Sequence, residues 1–156
     1  MDRETEKREN ELKSFLKFAD RIALQAGRFA LQIDRGSVRS GNALLNQPDI
    51  LCTESGGSLV GFELSRLTDP LLARMVNRPD DGEYARSGGH SITSLREKLG
   101  KLYSVPRVEL LLYRENIGTP DNVLIPQVKI YCHQCKNYER IWFMSNNTIE
   151  VLYKRS

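Results

Sequence analysis

The stretch from Gln47 to Leu67, QPDILCTESGGSLVGFELSRL, limits what this chain can fold into more than any other. Two apolar runs, Ile50-Leu51-Cys52 and Leu59 to Leu64, flank Glu54-Ser55-Gly56-Gly57-Ser58, and a glycine-containing loop of that length between short apolar runs signals a β-hairpin. On the return arm the side-chain period of two sets Val60, Phe62 and Leu64 on one face and Leu59, Gly61, Glu63 and Ser65 on the other. Gly61 is expected to leave room above the sheet beside Glu63. Pro48 favours an extended approach, so the first arm starts at Asp49. The turn then brings Asp49 and Glu63 near each other. Two carboxylates converging from adjacent strands form a hard-oxygen site suited to Mg2+ or Mn2+, with the Leu64 carbonyl as candidate third ligand.

On either side of the hairpin the hydrophobic pattern predicts further elements. From Arg3 to about Ala26, Leu12, Phe15, Leu16, Ala19, Ile22 and Ala23 recur at helical spacing, with Glu9 and Glu11 at the margins of the stripe. Gly27 ends or interrupts that helix. Arg28 to Ile33 alternates as a short strand does, with a continued helix as the other reading, and Arg35 to Asn46 reads as a polar connection. Beyond the hairpin, Asp69 and Pro70 can start a short helix to about Val76, and Arg78 to His90 has loop composition. A helix from Ser91 to about Tyr103 presents Ile92, Leu95, Leu99 and Leu102, with Lys98 at the edge of that face and Lys101 pointing away. Val108 to Tyr113 is nearly all apolar, as in a strand covered on both faces. Val123 to Cys132 fits a helix or a strand, and the alternation of Val128, Ile130 and Cys132 favours the strand. Glu139 to Met144 and Thr148 to Tyr153 form a last hairpin, whose Asn146 and Asn147 suit the positive φ of a tight turn. Tyr138, Trp142, Phe143 and Tyr153 are expected to pack against the sheet.

Pro48-Asp49, a hairpin, then Glu63-Leu64-Ser65 resembles the metal site of the PD-(D/E)XK, or restriction-endonuclease-like, nuclease superfamily. The resemblance implies a single α/β (α+β) domain over residues 1–156, with an α-β-β-β-α-β core, a mixed central sheet flanked by helices, and an extra C-terminal hairpin. It implies that Asp49 and Glu63 hold Mg2+ or Mn2+, with the Leu64 carbonyl completing the protein's share, and that Glu11 supports the ion from the first helix. Ser65 stands where the superfamily carries a lysine, and a hydroxyl can orient a water but brings no charge. Members lacking that lysine often supply a basic or amide side chain from the following helix, followed by a tyrosine, and Lys98 with Tyr103 resembles this arrangement. Arg66 is placed to contact a phosphate backbone. The implied activity is metal-dependent hydrolysis of phosphodiester bonds, in DNA before RNA, with a homodimer as an implied assembly. Two other readings stay open: a catalytically inactive nuclease-fold protein that binds nucleic acid or a protein partner, and an α/β interaction protein whose acids only end a hairpin.

Composition narrows the alternatives. A formal net charge of +3 over 156 residues permits contact with a polyanion without demanding it. Three cysteines argue against a disulfide framework and suit a reducing compartment. The charged N-terminal stretch contains no apolar run suited to a signal peptide or membrane span, so a cytoplasmic protein without membrane contact is expected. Cys132-His133-Gln134-Cys135 forms one knuckle where a structural zinc site normally draws on two; Cys52 and His90 are the remaining ligand types, and an unligated thiol pair is the expectation, with a zinc ion shared between two chains or a redox pair as the other readings. No phosphate-binding glycine loop and no nucleophilic triad spacing is present.

Overall fold

The computed structural model describes residues 2–25, 27–67, 97–114, 120–135 and 137–155. Among them the chain is mixed α and β. Helix α1 (Arg3–Ala23) precedes β1 (Ile33–Ser40), a 3-10 turn (Ala43–Leu45), β2 (Ile50–Glu54), β3 (Leu59–Arg66) and β4 (Val108–Tyr113). Helix α2 (Asp121–Cys132), β5 (Arg140–Met144) and β6 (Ile149–Lys154) follow. The strands hydrogen-bond in the order β1-β2-β3-β4-β5-β6. β1 with β2, β2 with β3 and β5 with β6 are antiparallel, whereas β4 with β5 is parallel, so the sheet is mixed. By packing, the chain divides into two compact units: Met1–Leu64 with Tyr103–Glu109, and Ser65–Leu102 with Leu110–Ser156.

In the first unit, α1 starts at Asp2, whose carboxylate accepts the Thr5 N–H at 2.7 Å and so satisfies one of the amides a helix start leaves without a partner. The buried stripe is Phe15, Phe18, Ala19 and Ile22. It is rotated from the expected one toward Phe18, because the rings of Phe15 and Phe18 both close on Phe62 of β3, at 4.8 and 5.8 Å between centroids. α1 therefore covers the Val60-Phe62-Leu64 face of the hairpin, as strand alternation requires.

The first strand is not where the sequence suggested. Arg28 to Ile33 contributes only an isolated bridge and the start of β1, and the polar segment expected to be a connection forms the edge strand. β1 carries almost no buried side chain, so no hydrophobic alternation announces it. Its ladder is interrupted between Asp34 and Arg39, and polar side chains fill the gap. Ser37 Oγ donates to the Asp34 carbonyl at 2.6 Å and accepts the Thr53 N–H at 2.8 Å, and the Asp34 carboxylate accepts the Gly36 N–H at 3.2 Å.

The expected central strand β4 is present, its residues from Leu110 on belonging to the second unit, and in that unit the C-terminal hairpin is present too, with Tyr138, Trp142 and Phe143 fully buried. Val123 to Cys132 is helix rather than strand. Leu124, Val128 and Cys132 are buried four residues apart while Ile130 is 61% exposed, which is the period of a helix. The β5–β6 turn does not use positive-φ asparagine, since Asn46 is the one non-glycine described residue in that region. Instead Ser145 Oγ accepts the N–H groups of Asn147 and Thr148. Residues 97–100 are helical but residues 101–103 are not, so this helix ends before Tyr103. The expected helix from Asp69, the loop from Arg78 to His90 and the start of the helix at Ser91 lie outside the described residues.

Candidate functional site

The hairpin register pairs Ile50 with Phe62 and Leu51 with Gly61, so one step further along the ladder Asp49 faces Glu63. Residues directly opposite in an antiparallel pair project to the same side. Their carboxylates are interlocked with the backbone at this point: Glu63 Oε1 accepts the Asp49 N–H at 3.1 Å, and Asp49 Oδ2 accepts the Leu64 N–H at 2.9 Å. Tyr103 donates its hydroxyl to Glu63 Oε2 at 2.7 Å. Glu63 is only 5% exposed, so these donors replace water around an acid that would be costly to bury bare. Asp49 is half-buried.

Close packing fixes the first acid. Gly41 donates its N–H to the Asp49 carbonyl at 2.9 Å, and a Cβ at Gly41 would lie 1.8 Å from the Pro48 carbonyl oxygen. A Cβ at Gly61 would lie 2.5 Å from Pro48 Cγ. Gly61 thus does not leave open space beside Glu63, as the sequence suggested. It makes room for the proline ring, and Pro48-Asp49 is seated between two glycine backbones. Tyr103 is held by its neighbour: Ser104 donates its N–H to the Asn46 carbonyl at 2.9 Å and its hydroxyl to the Leu45 carbonyl at 2.8 Å, tying this segment to the turn that leads into Pro48.

The donor set is one of hard oxygens. A carboxylate has about four lone-pair sites, so an oxygen that accepts an amide can also ligate a cation. In an extended strand the N–H and C=O of one residue point to the same edge, and the Leu64 N–H points to Asp49; its carbonyl lies on that edge too. Two carboxylates and a carbonyl suit Mg2+ or Mn2+, which bind through few protein oxygens and fill the remaining positions with water or phosphate. Among the described residues no group of three or more His, Cys, Asp or Glu side chains that could share a metal ion is found, and Glu11 is half-buried on α1.

The other expected site residues are placed as follows. Ser65 is half-buried on β3, two residues beyond Glu63 and on the same face of the strand, and Arg66 is exposed at the strand's end. Lys98 lies in the helical residues 97–100 of the second unit, half-buried, with its carbonyl accepting the Tyr138 hydroxyl at 2.7 Å.

A second charged group escaped the sequence reading. Arg107 bonds Glu54 at 2.9 Å and Glu109 at 3.0 Å, and the Glu109 side chain is fully buried within the apolar β4. Burial alone would lower the Arg107 pKa, but the Glu109 and Glu54 carboxylates outweigh it and raise it, so the guanidinium stays charged. Burial, with Glu109 nearby, pushes the Cys52 thiol up to about 12. A glutamate in an otherwise apolar strand, two residues after an arginine, was the available signal.

No protein-family model, no curated protein and no solved structure matches this chain.

Proposed function

We propose that the protein is a metal-dependent nuclease of the PD-(D/E)XK kind that hydrolyses phosphodiester bonds in DNA. The observation that carries this reading is the interlocked pair: Glu63 accepts the Asp49 amide and Asp49 accepts the Leu64 amide, so both acids serve one spot on adjacent strands. The order α1-β1-β2-β3, helical residues 97–100 and β4 supports it, being the core order the sequence resemblance implied.

In this reading Asp49, Glu63 and the Leu64 carbonyl hold Mg2+ or Mn2+, which when bound supplies a Lewis acid for a phosphate oxygen and eases deprotonation of water. The chain's own groups do the rest. Tyr103 and the Asp49 amide keep the Glu63 carboxylate aimed, so little reorganisation is needed when substrate arrives. The Ser65 hydroxyl orients the attacking water, and Arg66 contacts the phosphate backbone. Lys98 enters from the resemblance as the cation that replaces the lysine missing at Ser65, and Glu11 as a more distant acidic support.

Plasmid nicking in Mg2+ or Mn2+ tests the proposal. Wild-type protein should cut, Asp49→Ala should fall to background, and Lys98→Ala should be reduced. Equal residual nicking by wild type and Asp49→Ala would end the enzyme reading. Ser65 at the lysine position favours a second reading, a nuclease fold that binds nucleic acid without cutting it; DNA binding that weakens steeply with salt, with no nicking, is its signature.

A further inference from the structure

The Cys132–Cys135 segment closes helix α2 and leads into a clamp on another element of the same unit. Cys132 is the last residue of α2 and is buried, whereas Cys135 is half-buried and reachable from solvent. The Cys135 N–H donates to the Cys132 carbonyl at 3.0 Å, a four-residue turn that brings the two Cα atoms within about 7 Å. Beyond that separation a disulfide cannot close without backbone movement. Both thiols are free in this structure, and the Cys135 thiol points to the Tyr138 carbonyl at 3.8 Å.

The residues that follow hold the end of the helical residues 97–100. Tyr138 donates its hydroxyl to the Lys98 carbonyl at 2.7 Å, and Asn137 donates its amide to the carbonyls of Gly100 and Lys101 at 3.0 and 2.9 Å. These carbonyls lie at the end of the helical residues, where the Lys98 carbonyl also accepts the Lys101 N–H at 3.2 Å, so Asn137 and Tyr138 act as a cap supplied from elsewhere in the chain. The cap is anchored on its own side by the contact of the Cys135 thiol with Tyr138.

We propose that Cys132 and Cys135 form a reversible disulfide that loosens this cap on residues 97–101. Cys135, the accessible thiol, attacks one sulfur of a small-molecule disulfide, breaks its S–S bond and releases one thiolate. The Cys132 sulfur then attacks the Cys135 sulfur of the mixed disulfide. The internal S–S bond forms, the second small thiolate leaves, and the two protons given up by Cys135 and Cys132 pass to the two released thiolates. Two protein thiols are oxidised while one small disulfide is reduced to two thiols. Closing the bond turns the Cys135 sulfur from the Tyr138 carbonyl toward Cys132, and the cap loses that contact. Burial and the neighbouring Cys135 push the Cys132 thiol up to about 12, so the second step is slow at neutral pH and quickens in alkali.

The test needs no nuclease activity. Full-length protein is incubated with oxidised glutathione and followed by intact mass and by amide exchange. Wild type should lose two hydrogens with no retained adduct, Cys132→Ala should stop at a glutathione adduct, and Cys135→Ala should stay unmodified at Cys132. Amides of residues 99–103 should exchange several-fold faster in oxidised than in reduced wild type, with no such change in Cys135→Ala. A wild-type protein that keeps a stable glutathione adduct, forms only intermolecular disulfides, or closes the bond without faster exchange at residues 99–103 overturns the proposal.

Discussion

Glu63 sits at a nearly closed position, where the Asp49 amide and the Tyr103 hydroxyl donate to its carboxylate. Removing the Tyr103 hydroxyl takes a donor from a carboxylate that is 5% exposed. Tyr103→Phe should therefore destabilise the fold by about 1–3 kcal/mol in urea melts. It should also weaken Mn2+ binding by about 10- to 100-fold, as loss of a group that orients a metal ligand does. Gly61→Ala should cost about 1–3 kcal/mol through overlap with Pro48 Cγ. Gly41→Ala, which meets the Pro48 carbonyl itself, should cost more, since backbone cannot rotate aside as a side chain can. Cys52 gives a pH dependence. Its thiol ionises near 9 when unfolded and near 12 when folded, so the unfolded chain loses its proton first as pH rises. Stability contributed by the neutral buried thiol is whole below about pH 9 and is lost through about pH 12, with a slope of about 1.4 kcal/mol per pH unit. The unfolding free energy from urea melts should fall across that window less steeply in Cys52→Ala than in wild type, by about 1.4 kcal/mol per pH unit, while Cys132, also pushed up to about 12, keeps part of the fall in both.

Elements were legible in the sequence where one face is buried and illegible where polar atoms do the structural work. The Asp49–Glu63 hairpin, α1, the Val108 strand and the C-terminal hairpin follow from apolar periodicity and turn composition, and all are present. β1 escaped because its ladder gap is closed by the Ser37 hydroxyl and the Asp34 carboxylate, groups whose presence reads as loop. Ser37→Ala leaves the Thr53 N–H without its acceptor and should cost about 1 kcal/mol, read as a lower urea midpoint. α2 was read as strand because Val128, Ile130 and Cys132 alternate, although Leu124, Val128 and Cys132 mark the four-residue repeat of a helix. Pro126→Ala restores a backbone donor at an exposed site and should raise stability by about 1–3 kcal/mol, provided the helix is otherwise unchanged. Of the candidate site, the two acids were legible because a period of two and a turn suffice to bring them together. The roles of Gly41, Gly61 and Ser104 were not, since each depends on a close approach between segments that no local pattern encodes.

For the whole molecule, a mixed α and β chain with a six-stranded sheet, among the described residues, supplies the frame. No described helix is long and apolar enough to cross a membrane. The formal charge of +3 is too small to hold a polyanion by long-range attraction alone. On the proposed reading, contact with DNA depends on a divalent ion taken up by Asp49 and Glu63, so binding to a short duplex should strengthen when Mn2+ is added and weaken again with chelator. The claim beneath all of this is that the two interlocked carboxylates take up a divalent cation. Calorimetric titration of Mn2+ into metal-free wild-type protein, beside Asp49→Asn and Glu63→Gln, tests it most directly. One site per chain that disappears in both variants is the predicted result; an isotherm unchanged by either substitution, or no binding by wild type, would contradict it.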